Sequence, residues 1–344
     1  MFKRAISQLL RSNQQSTRTM ATENKHYPIK IAAAAQDSTL KVSVTCLSVK
    51  NPTRSIEFYK KHFGMTFLGT KDYPDMKFSL HFLTFPKEVA KTEQGQPEIF
   101  GTSGVLELAH TWGSENDSEF KIYNGNEEPH RGFGHICFSV ADIKKTCERL
   151  EAEGVSFKKR MADGRQKDIA FALDPDGYWI ELVQYIKDTE EAPRKDIGDK
   201  FNHTMIRVKD AEKSLEFYQN VLGMKLIRKS EHENAKFTLY FLAYGVPSGQ
   251  NSWSTEGVVE LTHNWGTEND PDFKYHTWDW KTPGYGHVTI SCNDPTALCN
   301  EIEQRYGDKI GWGVKFNQGM VKNGAFIKDP DGYSIEIVPS DLVL

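Results

Sequence analysis

The chain has 344 residues, 38% of them hydrophobic and 26% charged, and its 43 basic and 47 acidic side chains leave a net charge of -4. At about 100–200 residues per domain this is room for roughly two domains. The charge balance excludes a strongly basic nucleic-acid binder and an acidic tail protein, and no run approaches the ~18 apolar residues of a membrane span, so neither nucleic acid nor membrane is expected as a partner.

Residues 1–30 stand apart. Lys3, Arg4, Arg11 and Arg18 precede the first acid, Glu23, with Ser and Gln between them. Phe2, Ile6, Leu9 and Leu10 can share one helical face. This is the composition of a mitochondrial presequence, and equally of a disordered tail. Translation from Met20 would delete the basic segment, so one gene could make a cytoplasmic and a mitochondrial form.

Residues 42–49 alternate and are β-branched, which predicts a strand. Pro52 opens a helical pattern through Ile56, Phe58, Tyr59 and Phe63, stopped by Gly64. KFSLHFLTF (77–85) and VLELAHTW (105–112) read as further strands. GHICFSV (134–140) starts a second portion. A helix follows over 141–154, with Asp142 near its start and Gly154 at its end, and DPDGYWIELVQY (174–185) gives a turn and a final strand. These elements then recur. FNHTMIRVKDAEKSLEFYQNVLGMKL (201–226) matches 42–67, KFTLYFLAY (236–244) matches 77–85, and VVELTHNWGTEND (258–270) matches 105–117. GYGH (284–287) matches GFGH (132–135), and DPDGYSIE (329–336) matches DPDGYWIE (174–181). Five blocks in order, at offsets of 152 to 159 residues, are a duplication. The predicted organisation is a leader over 1–30, a first half over 41–186, a charged linker over 187–199 and a second half over 200–344. Each half reads β-α-β-β twice, so the chain is α+β and built of four modules. Cys46, Cys137, Cys147, Cys292 and Cys299 are odd in number and form no CxxC pair. They read as buried free thiols of a reducing compartment rather than disulfides or a thiolate zinc site.

Ionisable residues stand where core strands should carry none: His203 with Glu260, His135 with Glu181, His287 with Glu336, and Glu107. A buried carboxylate needs a counter-charge or a metal, and imidazole with carboxylate suits Zn, Ni, Fe or Mn. One such residue alone reads better as half of a structural salt bridge. Repetition at equivalent positions points to metal. Strand periodicity sets His203 on one face with Arg207, Glu260 with Asn264, and His135 with Arg131, each companion about 13 Å along the strand. Cations at that distance suit a substrate with remote carboxylates. Val44 stands where His203 does, Ser48 for Arg207, Thr111 for Asn264, Pro283 for Arg131, Val314 for Lys159 and Met320 for Arg165. The losses fall in the first and fourth modules. The expected pairing is therefore crosswise: an intact site from the second and third modules, with His135, Glu181, His203 and Glu260, and a degraded site from the first and fourth, with Glu107, His287 and Glu336.

LELTHNWGTE, RGFGHICFSV and DPDGYWIE, together with SLEFYQNVLGMKL and KFTLYFLAY, resemble glyoxalase I (lactoylglutathione lyase) in the duplicated single-chain form of yeasts, over roughly residues 25–344. The resemblance implies the vicinal-oxygen-chelate fold of βαβββ modules and a divalent metal, Zn first and Ni or Co next. It assigns the ligand roles to His135, Glu181, His203 and Glu260, with Glu181 as catalytic base and Glu336 as its counterpart in the degraded site. It implies glutathione as co-substrate, anchored by Arg207, Asn264, Arg131, Lys159 and Arg165. The implied reaction isomerises the methylglyoxal–glutathione hemithioacetal to S-D-lactoylglutathione. A duplication that replaces the two chains of a dimer implies a monomer. An extradiol-type dioxygenase, with Fe(II) and two His and one carboxylate, and a non-catalytic thiol- or drug-binding module are the alternatives on the same fold.

Overall fold

The structure is a computed structural model that describes residues 37–87, 89–164, 166–185, 198–246, 252–318 and 322–343. The leader over 1–30, most of the linker and Arg165 lie outside the described residues.

Four βαβββ modules follow one another. The first comprises β1 (Lys41–Val49), α1 (Pro52–Phe63), β2 (Thr66–Tyr73), β3 (Phe78–Thr84) and β4 (Val105–Thr111). The second comprises β5 (Phe133–Val140), α2 (Ile143–Ala152), β6 (Phe157–Lys159), β7 (Ile169–Leu173) and β8 (Trp179–Gln184). The third comprises β9 (Lys200–Val208), α3 (Ala211–Glu216, continued by a π turn over Phe217–Val221), β10 (Lys225–His232), β11 (Phe237–Ala243) and β12 (Val258–Asn264). The fourth comprises β13 (Tyr285–Cys292), α4 (Pro295–Tyr306), β14 (Gly311–Val314), β15 (Ala325–Lys328) and β16 (Ser334–Pro339). Asn51, Asp142, Asp210 and Asp294 cap the helix starts through their side chains, and Gly64 ends α1 in the left-handed conformation at φ 66°.

The β-α-β-β count from residue patterns is one strand short in every module, and in the first and third it misses β2 and β10. Both are edge strands with mostly half-exposed or exposed side chains, and a register shift breaks the alternation beside Gly69 and again beside Arg228. An edge strand packed on one side leaves little hydrophobic period to read.

The strands form two eight-stranded sheets, ordered β10-β11-β12-β9-β5-β8-β7-β6 and β14-β15-β16-β13-β1-β4-β3-β2. The second module thus joins the third, and the first joins the fourth. The central pairs β5·β9 and β1·β13 are antiparallel, while β9·β12, β5·β8, β1·β4 and β13·β16 are parallel. Where the sheets adjoin, the Thr45 and Thr204 hydroxyls meet at 2.6 Å.

Helix contacts run the other way, within each half. Tyr59 on α1 donates its hydroxyl to Asp174 Oδ2 at 3.0 Å, and Arg54 bonds Asp176 at 2.6 Å. Tyr218 repeats this with Asp329 at 3.1 Å in the second half. Asp174 also accepts from the backbone N–H of Asp176 and Tyr178, so the DPDG turn is tied to the helix of the preceding module. The sheets cross the halves, the helix–turn locks close them, and one apolar cluster including Leu47, Phe138, Leu182, Phe217 and Ile337 runs through all four modules. Tyr59→Phe leaves a buried carboxylate oxygen without its donor. It should cost about 1–3 kcal/mol, seen as a lower urea midpoint with an unchanged slope. Among the described residues no helix is long and apolar enough to cross a membrane.

Candidate metal centre

Four adjacent strands, β12-β9-β5-β8, each send one ionisable side chain to the same place. In the β9·β12 ladder His203 stands opposite Val258, and Glu260 lies one same-face position further on. In the β5·β8 ladder His135 stands opposite Trp179, and Glu181 again lies one same-face position on. Each module therefore supplies one imidazole and one carboxylate, and the antiparallel pairing of β5 with β9 brings the two sets face to face. His203 Nε2 lies 2.9 Å from Glu260 Oε2 and 3.3 Å from Glu181 Oε2, and His135 Nε2 lies 3.4 Å and 3.9 Å from Glu181 and Glu260. The two Nε2 atoms are 3.2 Å apart. All four residues are buried, and one donor atom from each falls within 4.8 Å of the others.

Burial alone would push Glu181 up, but the imidazoles of His135 and His203 hold it well below the usual carboxylate range. Burial opposes charge on His203, yet its bonds to Glu181 and Glu260 raise it to about 9. Two carboxylates and two imidazoles in so small a buried volume fit a divalent cation, because the imidazoles supply neutral donors and the carboxylates cancel its charge.

Residue patterns left two neighbours of this centre unread. Asn202 Oδ1 accepts from His203 Nδ1 at 2.8 Å, which leaves Nε2 facing the carboxylates. Asn202 itself donates to the carbonyls of Ser252 and Thr255, so it is a positioning residue. Asn202→Ala should weaken metal affinity by about 10–100-fold, measured by competition with a chromogenic chelator. The second is Arg228, whose guanidinium lies 3.7 Å from the Phe241 ring centroid and 3.8 Å from that of Trp253. Both rings also pack on His203. Burial lowers the pKa of Arg228, while the charges of Glu260 and Glu181 raise it. Gly69 stands at the Arg228 position of the first module and Ser43 at that of Asn202, so the internal alignment could have marked both as asymmetric.

The expected anchors lie beyond the centre. Arg207 is buried, donating through Nη1 to the carbonyls of Gly125, Gly132 and Phe133 and through Nη2 to Asn126 Oδ1 at 2.8 Å. It clasps the loop that carries Arg131. Arg131 is about half exposed, with only a 4.0 Å approach to Glu128. It precedes β5 rather than extending it, so the strand-period argument that placed it with His135 does not apply, since the ladder starts at Phe133. Asn264 donates to the Tyr275 hydroxyl at 2.8 Å. Lys159, at the end of the edge strand β6, bonds the carbonyls of Gln166 and Ile169 at 2.7 and 2.9 Å.

The equivalent place on β4-β1-β13-β16 differs. Val44 is buried among Phe82, Phe100 and Val105. Glu107, His287 and Glu336 are brought near each other: His287 Nε2 lies 3.9 Å from Glu107 Oε1 and 3.4 Å from Glu336 Oε2. Thr289 donates to Glu336 Oε2 at 2.8 Å. Burial raises Glu107 to about 7.

The family profile described as Glyoxalase/Bleomycin resistance protein/Dioxygenase superfamily matches the chain twice, over residues 41–182 and 200–337. Glyoxalase I of Saccharomyces cerevisiae is 62% identical over 325 residues, covering 94% of this chain and 100% of that protein. Lactoylglutathione lyase of Schizosaccharomyces pombe is 44% identical over 310 residues, covering 90% and 99%. Among solved structures, glyoxalase I from Zea mays superposes with a TM-score of 0.67 at 27% identity, covering 89% of this chain and 94% of that one. With the duplicated profile, the crosswise sheets and relatives matched along their full length, the chain belongs to the glyoxalase superfamily and, within it, to the glyoxalase I (lactoylglutathione lyase) family.

Proposed function

We propose that this protein is a lactoylglutathione lyase that isomerises the hemithioacetal of methylglyoxal and glutathione to S-D-lactoylglutathione at the centre formed by the second and third modules. The observation that carries this reading is the convergence of His135, Glu181, His203 and Glu260 within 4.8 Å on four neighbouring buried strands, in a chain so close to curated glyoxalases.

These four residues would hold a divalent ion. Zinc is our assignment, and nickel or cobalt suits the same donors. When bound, the ion supplies Lewis-acid stabilisation for negative charge on the two neighbouring substrate oxygens. The rest falls to the chain. Glu181 takes the proton from one substrate carbon and returns it to the adjacent one. Glu260 faces it across the centre and can serve the opposite face. Arg131, Asn264, Lys159 and Arg165 are the groups we assign to the glutathione moiety. Arg207 adds its charge from beneath while holding the loop that presents Arg131. Fixing the tripeptide orients the reacting carbons over Glu181.

Each sheet already contains a module from each half, which supports a monomer. We assign the protein to the cytoplasm, with any mitochondrial form tied to the basic leader. The test is turnover of preformed hemithioacetal by the metal-loaded chain, with and without oxygen. Thioester formation at the same rate in both supports the reading. Oxygen-dependent product would favour a dioxygenase, and no turnover would favour a binding module.

A further inference from the structure

The first–fourth centre has lost a histidine to Val44 and, on residue patterns, is a relic. The ladders say otherwise. On β1, Cys46 shares a face with Val44, pairs directly with Glu107 on β4 and stands opposite His287 on β13. One donor atom each from Cys46, Glu107 and His287 falls within 4.8 Å of the others. The buried thiol is hydrogen-bonded to Glu107, and burial with that carboxylate pushes its pKa well up. Glu107 is 1% exposed, yet its Oε1 makes no hydrogen bond, and His287 Nε2 has only a long 3.4 Å approach to Glu336 Oε2, short of a well-formed bond. Two buried polar atoms 3.9 Å apart, too far to bond each other, face the same space as a thiol. The second–third centre has no such orphans among its four donors, because its imidazoles and carboxylates already satisfy each other.

We propose that the first–fourth centre is a second, structural metal site in which Cys46, as thiolate, joins Glu107, His287 and Glu336 around a thiophilic divalent cation such as Zn(II). Sulfur occupies the role vacated at Val44. In the third module Met205 stands at the Cys46 position, so the exchange moves the soft donor one same-face residue along the strand. Charge balances. A thiolate and two carboxylates exceed a dication by one negative charge, and Lys328, whose charge acts on His287, supplies one positive charge. Leu173 stands at that position in the second module, beside the thiolate-free centre. On binding, the Cys46 S–H bond breaks, its proton leaves to water, and the sulfur keeps the electron pair that forms the metal bond. Four protein donors close the coordination shell, as in structural rather than catalytic zinc sites. Ser48, Thr111, Pro283 and Val314 replace the substrate anchors, so those four positions offer no cation to a glutathione conjugate. The ion would instead brace β4 and β1 of the first half to β13 and β16 of the second.

The test is titration of the full chain with cobalt(II), whose thiolate complexes show a sulfur-to-metal charge-transfer band in the near ultraviolet that nitrogen and oxygen ligands lack. The parent should take two equivalents, with the band. Cys46→Ser should take one, without the band. Should Cys46→Ser fail to fold, Glu107→Gln should likewise take one equivalent, with the band lost or strongly reduced. A parent that shows no band, or a band that survives Cys46→Ser, overturns the proposal. The readout does not depend on turnover. If the second–third centre failed to bind metal, the parent would take one equivalent with a band that Cys46→Ser abolishes.

Discussion

Glu181→Gln should cost the metal-loaded protein about 10²–10⁴-fold in kcat, the size of effect that follows removal of a positioned general base. KM should change little, because the groups assigned to glutathione lie elsewhere. The amide keeps the shape and one oxygen, so the loss measures proton transfer rather than collapse of the centre. Glu336→Gln should leave kcat within about twofold, far below the tenfold per 1.36 kcal/mol that marks a lost transition-state contact. The asymmetry is the informative part. The carboxylates occupy equivalent ladder positions, Glu181 opposite Cys137 and Glu336 opposite Thr289. They differ only in what surrounds them. Steady-state kinetics on both variants, with metal content measured in each, decides the matter. Equal losses in the two would place chemistry at both centres.

Removing the metal should have the second large effect. Exhaustive chelation should abolish turnover, and one equivalent of zinc returned per second–third centre should restore it. Stability should fall as well, because an ion that binds only the folded chain stabilises it by about 2.7 kcal/mol at a hundredfold excess over Kd. Without the ion, Glu181 and Glu260 rely on His135 and His203 for their counter-charge, with His203 at 3.3 and 2.9 Å. His203→Ala should therefore lose both metal and activity, and should destabilise the chelated protein too. A chelated protein that kept full turnover would remove the metal from the account.

Much of this was legible in the sequence because the chain carries its own comparison. Aligning its halves exposed Val44 against His203, Ser48 against Arg207 and Pro283 against Arg131. The losses sorted by module, and that sorting is what suggested the crosswise sheets. The residues it missed share a physical reason. β2 and β10 are edge strands with too little burial to write a period. Asn202 faces away from the centre and acts through the far nitrogen of His203, so no same-face rule finds it. Cys46 looked inert because a cysteine in an apolar strand usually is. Only the pairing of β1 with both β4 and β13 shows that its sulfur faces Glu107 and His287. Arg131 was placed by strand period at a position where the strand has not begun. The DPDG blocks looked like plain turns, and their first aspartates proved to be the buried acceptors for Tyr59 and Tyr218.

The central claim is that one centre per chain, built by the second and third modules, binds and converts the substrate. The most direct measurement is calorimetric titration of the metal-loaded chain with a stable mimic of the enediolate carried on glutathione, since such mimics bind far more tightly than substrate. The account predicts one mimic bound per chain, and none to His203→Ala. Two per chain, or one that persists in His203→Ala, would contradict it.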